Sequence, residues 1–345
     1  MKNLRKPNKL EPGDKIVFLS PSSGLAKMVS HRIKKAKREF EGRGYAVEIY
    51  PTAKKKKGFS SDSAKKRAED LNKAFENNEV KAIISTIGGN TSHQILEFID
   101  FDLIRENPTI FSGFSDITTI HLAFYKISNI VSFYGPAVIP QFGEFPNPHE
   151  YTIKYFEKAV TTSKPIGNIE ASERWTDDKS ADWLEREDID YKREYKENEG
   201  YEWINEGKAE GRILGGCLPS LMHIKGTDYW PDFENKILLL ETPEGENFDE
   251  GLSLQKVEGF LSDLKILKTL SKVNGIIFGK GFGYTKYQRK RLKEIIKKHT
   301  EDFNYPVVYG VNVGHTDPII TVPLGVSCKL NSKENLLHIN ESGVC

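Results

Sequence analysis

Residues 107–125 read NPTIFSGFSDITTIHLAFY, and the fold of the whole chain follows from how this stretch is parsed. Thr109 to Ser112 is a short strand-like approach, Ser112-Gly113-Phe114-Ser115-Asp116 is a sharp turn, and Ile117, Ile120, His121 and Phe124 then recur at helical spacing. A strand that turns abruptly into a helix is the repeating joint of a parallel sheet covered by helices. A serine at such a joint is lifted clear of its own backbone, beside free amides and the positive end of the helix dipole. The G-x-S-x-G pattern of a nucleophile elbow is half present, because Asp116 and Thr118 stand where small residues are expected. Ser and Asp are also common helix caps, so Ser115 or Asp116 could serve only to start the helix. The turn alone leaves both readings open.

Working outward, Lys15 to Leu19 (KIVFL) is a buried strand that ends in Ser20-Pro21-Ser22-Ser23-Gly24. A helix over 29–43, a strand over 46–50 and a charged helix over 63–77 follow. The strand 80–86, VKAIIST, runs into Ile87-Gly88-Gly89-Asn90-Thr91, and a further helix is expected over 91–99. Gly88 and Gly89 would let the backbone approach a ligand and offer it free amides, although a plain tight turn uses the same residues. All three turns fall at carboxyl ends of strands, where ligands bind in such sheets. The segment 131–140 and a helix over 150–161 complete an N-terminal domain, 1–165.

From 166 to 210 the texture changes to a charged, aromatic, poorly periodic insertion holding Trp175, Trp183 and Trp203, three of the four tryptophans. It is either a set of small hairpins packing their own rings or a lid whose rings stack on a flat ligand. A second domain, 211–345, opens with Gly211-Arg212-Ile213-Leu214-Gly215-Gly216 ahead of a helix. Strands over 236–241 (KILLLE), 273–278 and 307–310 alternate with helices over 252–264 and 287–298, and short strands close the chain.

Composition removes several classes. The 50 basic and 49 acidic residues cancel, so no global field points to nucleic acid. No apolar run approaches the ~20 residues needed to span a bilayer, and the N-terminus lacks a secretory signal. Cys217, Cys328 and Cys345 are widely spaced and odd in number, which suggests a reducing compartment and no disulfide framework. No Cys/His cluster has metal-ligand spacing, so neither a metal nor a cofactor is expected. A cytoplasmic protein with no membrane or nucleic-acid partner is the expectation.

Two further residues stand out. Glu241 ends a continuous apolar strand, where an unpaired carboxylate is costly, and His315 follows a glycine just beyond another strand. Each has a structural explanation of its own, a turn cap or a satisfied core histidine. With Ser115 they supply nucleophile, orienting carboxylate and base, a set that geometry and not sequence position defines.

The segments KIVFLSPSSG, STIGGN, SGFSDIT, RILGGCLPSL, GTDYWPDF, KILLLE, NGIIFGKGFG, YGVNVGH and VPLG occur in this order along the chain. In these the sequence resembles the LD-carboxypeptidase family of serine peptidases over nearly its full length. The resemblance implies a Ser115-Glu241-His315 triad, an oxyanion hole from the Gly89 and Asp116 amides, and a substrate contact near Gly88. It also implies an α/β chain with an N-terminal Rossmann-like parallel-sheet domain, a C-terminal β-rich α/β domain, and a homodimer. The tryptophan-bearing insertion is similar to that of the family's microcin C immunity branch, in which Trp175 and Trp183 would stack on an adenine. Cys217 departs from the Asn usual in the family, so no role is carried to it. The expected activity is hydrolysis of an aminoacyl-nucleotide amide. The alternatives are removal of D-alanine from a cell-wall peptide and sequestration of a nucleotide-like toxin without turnover.

Overall fold

The computed structural model describes residues 4–247 and 249–345. The first sheet contains β1 (Lys15–Leu19), β2 (Ala46–Ile49), β3 (Val80–Ser85), β4 (Ile110–Gly113) and β5 (Ser132–Tyr134). They lie in the order β5-β4-β3-β1-β2, every neighbouring pair parallel. The runs KIVFL and VKAIIS are almost wholly buried because helices cover both faces, which is what near-continuous apolar strands require. The strand order reverses between β1 and β3, the switch point beside which ligands bind in such sheets. Val322–Leu324, from the far end of the chain, pairs antiparallel with β5 and extends this sheet.

The second sheet has a parallel centre, Lys208–Cys217, Lys236–Glu241, Gly275–Gly279 and Val307–Val311. Helices Leu254–Ile266 and Lys286–Thr300 make its crossovers, the latter started by a capping box at Thr285 and Gln288. Antiparallel strands Ser327–Asn331 and Leu336–Ile339 flank one side and Glu202–Asn205 the other. The architecture is mixed α/β, with a parallel-rich sheet in the N-terminal half and a mixed sheet in the C-terminal half. Among the described residues no helix is long and apolar enough to cross a membrane.

Several local expectations change. Gly211–Gly216, expected ahead of a helix, does precede the helix that begins at Leu218, and it forms part of the long strand Lys208–Cys217. The glycines are there because the strand runs too close to its neighbours for side chains: a Cβ on Gly215 would lie 2.0 Å from the Leu239 carbonyl oxygen. The helix expected over 91–99 is a tight three-residue-per-turn helix, Ser92–Phe98, followed by a separate helix Phe101–Glu106 capped by the Asp100 side chain. The stretch 131–140, given no element from sequence, contains the strand Ser132–Tyr134. In the insertion, one two-residue pair, Arg174–Trp175 with Lys196–Glu197, stands where several hairpins were an option.

Candidate active site

The carboxyl ends of the two sheets meet, and the side chains singled out in the sequence converge there. Ser115 leaves β4 with φ +62°, a left-handed conformation that costs a non-glycine residue on the order of 1–3 kcal/mol. The strain is held by its surroundings: the Ser115 amide donates to Tyr134 Oη at 3.1 Å, and Thr118 Oγ1 donates to the Ser115 carbonyl at 2.6 Å. His315 Nε2 lies 3.0 Å from Ser115 Oγ, and His315 Nδ1 lies 2.8 Å from Glu241 Oε2. Glu241 has no exposed surface and His315 only 8%. The second carboxylate oxygen of Glu241 accepts from Tyr134 Oη at 2.6 Å. With both oxygens occupied, the buried carboxylate is satisfied, and its position fixes the imidazole.

Glycines keep this geometry open. A Cβ on Gly314, at φ +100°, would fall 2.5 Å from Glu241 Oε2. A Cβ on Gly88 would fall 2.8 Å from Ser115 Oγ and 3.1 Å from the Asp116 amide nitrogen. The space vacated by the missing Gly88 side chain is therefore bordered by both a hydroxyl and a backbone donor. Gly89, at φ +143°, is pressed against Ser22 and Ser23.

Asp116 ties the three carboxyl-end loops of the first sheet together. Its Oδ2 accepts from Ser22 Oγ at 2.5 Å and from the Thr91 and Ser92 amides at 2.8 Å each. Ser92 Oγ in turn donates to the Asp116 carbonyl at 2.6 Å. The neighbouring His121 is a satisfied core histidine between Ser132 and the Gly113 carbonyl, its pKa pushed down to about 4 by burial.

The imidazole of His315 feels opposing influences. Burial, the largest, lowers its pKa, but the carboxylates of Glu241 and Glu244 together outweigh it and leave the group above its ordinary value. Glu244 Oε2 stands 3.4 Å from His315 Nε2, on the side that faces Ser115. Neither Tyr134 nor Glu244 was singled out from sequence. Tyr134 carried a usable signal, since it too lies at the carboxyl end of a strand; Glu244 carried none. Cys217 pairs in register with Glu241 and is buried, which pushes its thiol well up.

The insertion reaches the site from the other side of His315. Thr176 and Asp317 exchange backbone hydrogen bonds of 2.7 and 2.9 Å. Buried Asp317 accepts from Arg193 Nη1 at 2.9 Å and from Gln141 Nε2 at 3.1 Å. Arg193 and Lys179 hold the Asp317 carboxyl far below the usual range in spite of its burial. The two tryptophans are not side by side on an open face. Trp175 is only 5% exposed and is ringed by Lys196, Lys280 and Arg289 within 5.2 Å of its centroid. Trp183 is half-buried, with the Arg32 guanidinium 4.2 Å above its ring.

Comparison with known proteins now adds to this geometry. The model of the LD-carboxypeptidase N-terminal domain matches residues 16–135, and that of the LD-carboxypeptidase C-terminal domain matches residues 210–330. The chain belongs to the LD-carboxypeptidase family. The chain is 32% identical over 329 residues to putative carboxypeptidase YocD of Bacillus subtilis (strain 168), covering 94% of this chain and 95% of that protein. It is 31% identical over 335 residues to microcin C7 self-immunity protein MccF of Escherichia coli, covering 96% of this chain and 94% of MccF. A solved structure of MccF in complex with aspartyl sulfamoyl adenosine matches with a TM-score of 0.89 at 30% identity, covering 99% of this chain and 100% of that one. Family membership places the chain among hydrolases, and its two-sheet α/β architecture is that of MccF.

Proposed function

We propose that this member of the LD-carboxypeptidase family is a serine hydrolase that cleaves the bond between an aminoacyl group and a modified adenylate. The observation that carries the reading is the unbroken line Ser115 Oγ, His315 Nε2, His315 Nδ1, Glu241 Oε2, with contacts of 3.0 and 2.8 Å. In this mechanism His315 takes the Ser115 proton as Oγ attacks the acyl carbon, and the carbonyl oxygen becomes an oxyanion. That oxygen would sit in the space left by Gly88, facing the Asp116 amide, with the Gly89 amide as second donor. Collapse breaks the carbon–nitrogen bond, and His315 returns the proton to the leaving nitrogen. Water, deprotonated by His315, then releases the acyl group from Ser115. Glu241 holds the imidazole tautomer and stabilises its charged form.

The substrate class is supported by similarity to MccF, whose solved complex contains an aminoacyl sulfamoyl adenosine. Trp175 and Trp183 are the proposed base contacts. For Trp183 to stack on adenine, the Arg32 guanidinium above its ring must give way or take the second face of the base. The N-terminal domain, 1–165, would carry the nucleophile, the insertion 166–210 the contacts to the adenine, and the domain 211–345 Glu241 and His315.

The test is hydrolysis of aspartyl sulfamoyl adenosine and of a muropeptide tetrapeptide by wild type and Ser115→Ala. Release of aspartate from the adenosine compound, lost in the variant, supports the proposal. Cleavage of the tetrapeptide alone would make this a wall-peptide enzyme. Tight binding of the adenosine compound without turnover would make it a sequestering protein.

A further inference from the structure

Three titratable side chains from distant parts of the chain converge beside the nucleophile turn and take no part in the chemistry above. His93 lies on the tight helix Ser92–Phe98, Asp116 directly follows Ser115, and His223 follows helix Leu218–Met222 of the C-terminal half. One ligand-capable atom of each lies within 4.8 Å of the other two. The His93 and His223 rings stack with centroids 4.8 Å apart and planes 29° from parallel.

The hydrogen bonds identify the spare atoms. Asp116 is wholly buried, and its Oδ2 is fully occupied by Ser22, Thr91 and Ser92. Its Oδ1 is equally shut away from solvent and has no hydrogen-bond partner among the described residues. His93 Nδ1 is in the same condition. A buried carboxylate oxygen and a buried ring nitrogen left unpaired both destabilise the fold unless something from outside the chain occupies the gap. His223 Nε2 meets Asn90 Oδ1 at 2.9 Å. With the ring N–H donating there, the lone pair of His223 Nδ1 is free. A carboxylate anchored through one oxygen and an imidazole oriented by an amide acceptor are the supports usually found around metal-binding side chains.

We propose that His93, Asp116 and His223 bind a divalent transition-metal ion of the zinc type. Two imidazoles and one carboxylate suit zinc, cobalt or nickel far better than magnesium or calcium, which prefer oxygen. Three protein ligands leave a coordination position for water. The ion would join the first sheet's loops to a helix of the C-terminal half, and it would pin the residue whose amide borders the space over Ser115. Its role is therefore that of a clamp on the junction and not of a reacting group. No sequence spacing announces the site, because the ligands come from three separate elements.

The test uses the full chain stripped of metal and then given zinc or cobalt. The proposal expects one equivalent retained per chain after gel filtration, cobalt absorption in the visible, and a rise in melting temperature with zinc that magnesium does not produce. His223→Ala changes an exposed side chain, so it should fold normally while binding the ion at least ~10–100-fold more weakly; Asn90→Ala should weaken binding about tenfold. His93→Ala should match His223→Ala, and Cys345→Ser, which removes an exposed thiol, should change nothing. Failure of wild type to retain an ion would overturn the proposal, with a water between His93 and Asp116 as the replacement. Undiminished binding by His223→Ala, or loss of binding in Cys345→Ser, would overturn it equally.

Discussion

The two regions that meet at His315 are built by different forces. On one side, Ser115, Tyr134 and Glu241 are fixed by backbone sterics and short hydrogen bonds: a strained serine, glycines at 88 and 314 with no room for a Cβ, and a carboxylate with both oxygens paired. On the other, the insertion is held by charge. Arg193 bridges Asp317 and Glu144, Arg32 bridges Glu144 and Asp188, and cations cover the faces of Trp175 and Trp183. Packing of the first kind has one solution, whereas paired charges can exchange partners with a charged ligand. The chemistry is thus rigid, and the part proposed to read the substrate is exchangeable.

Substitutions can break this contrast at either end. Ser115→Ala should remove turnover, a fall in kcat of about 10⁴-fold or more, while leaving ligand binding intact. Gly88→Ala puts a methyl group into the space over the nucleophile and should lower kcat by about 10²–10³-fold, the usual cost of spoiling an oxyanion donor. The overall fold should be retained, so an unchanged kcat would remove that space from the mechanism.

Arg193→Met leaves buried Asp317 without its main cation. Breaking such a pair costs about 3–5 kcal/mol, and here the loss should fall on docking of the insertion. Limited proteolysis within 177–200 should accelerate, and KM should rise more than kcat falls; equal effects on both would mean that the insertion also positions His315. Tyr134→Phe removes one hydrogen bond from Glu241 and should cost about tenfold in kcat, with KM unchanged.

The smallest effect is expected from Glu244→Gln. His315 must be neutral to accept the Ser115 proton, so activity falls as pH drops through its pKa. Since that pKa is raised partly by Glu244, removing the charge should move the acid limb of the kcat/KM profile to lower pH. A limb that stayed in place would show that Glu241 alone sets the value. The stability linkage has the matching sign: the favourable charge interaction of folded His315 is present below its unfolded pKa and fades as pH rises through the folded one.

What the sequence disclosed follows the same division. Continuous apolar runs such as KIVFL and KILLLE name their own strands, and the structure places β1 and Lys236–Glu241 at those limits. The turn at Ser115 was legible because strand, turn and helix are local. Glu241 and His315 stood out as polar residues at strand ends, but the contacts that join Glu241 to His315 and His315 to Ser115 span 74 and 200 positions, which no local pattern encodes. Gly215 and Gly216 were visible ahead of a helix, but not as part of a strand, because the close approach of Leu239 that requires them is a long-range contact. Trp175 and Trp183 were visible as rings, but among the cations that cover them Arg32, Lys280 and Arg289 come from outside the insertion.

The pairing of Val322–Leu324 with β5 has a consequence for biosynthesis. The first sheet can assemble β1 to β5 early, yet its β5 edge stays unsatisfied until residues near the end of the chain leave the ribosome. A nascent chain stalled before residue 322 would offer that bare edge to any other strand, the usual route to aggregation. Completion of translation therefore seals the N-terminal half, and a ribosome pausing late in the message would endanger this protein more than one pausing early.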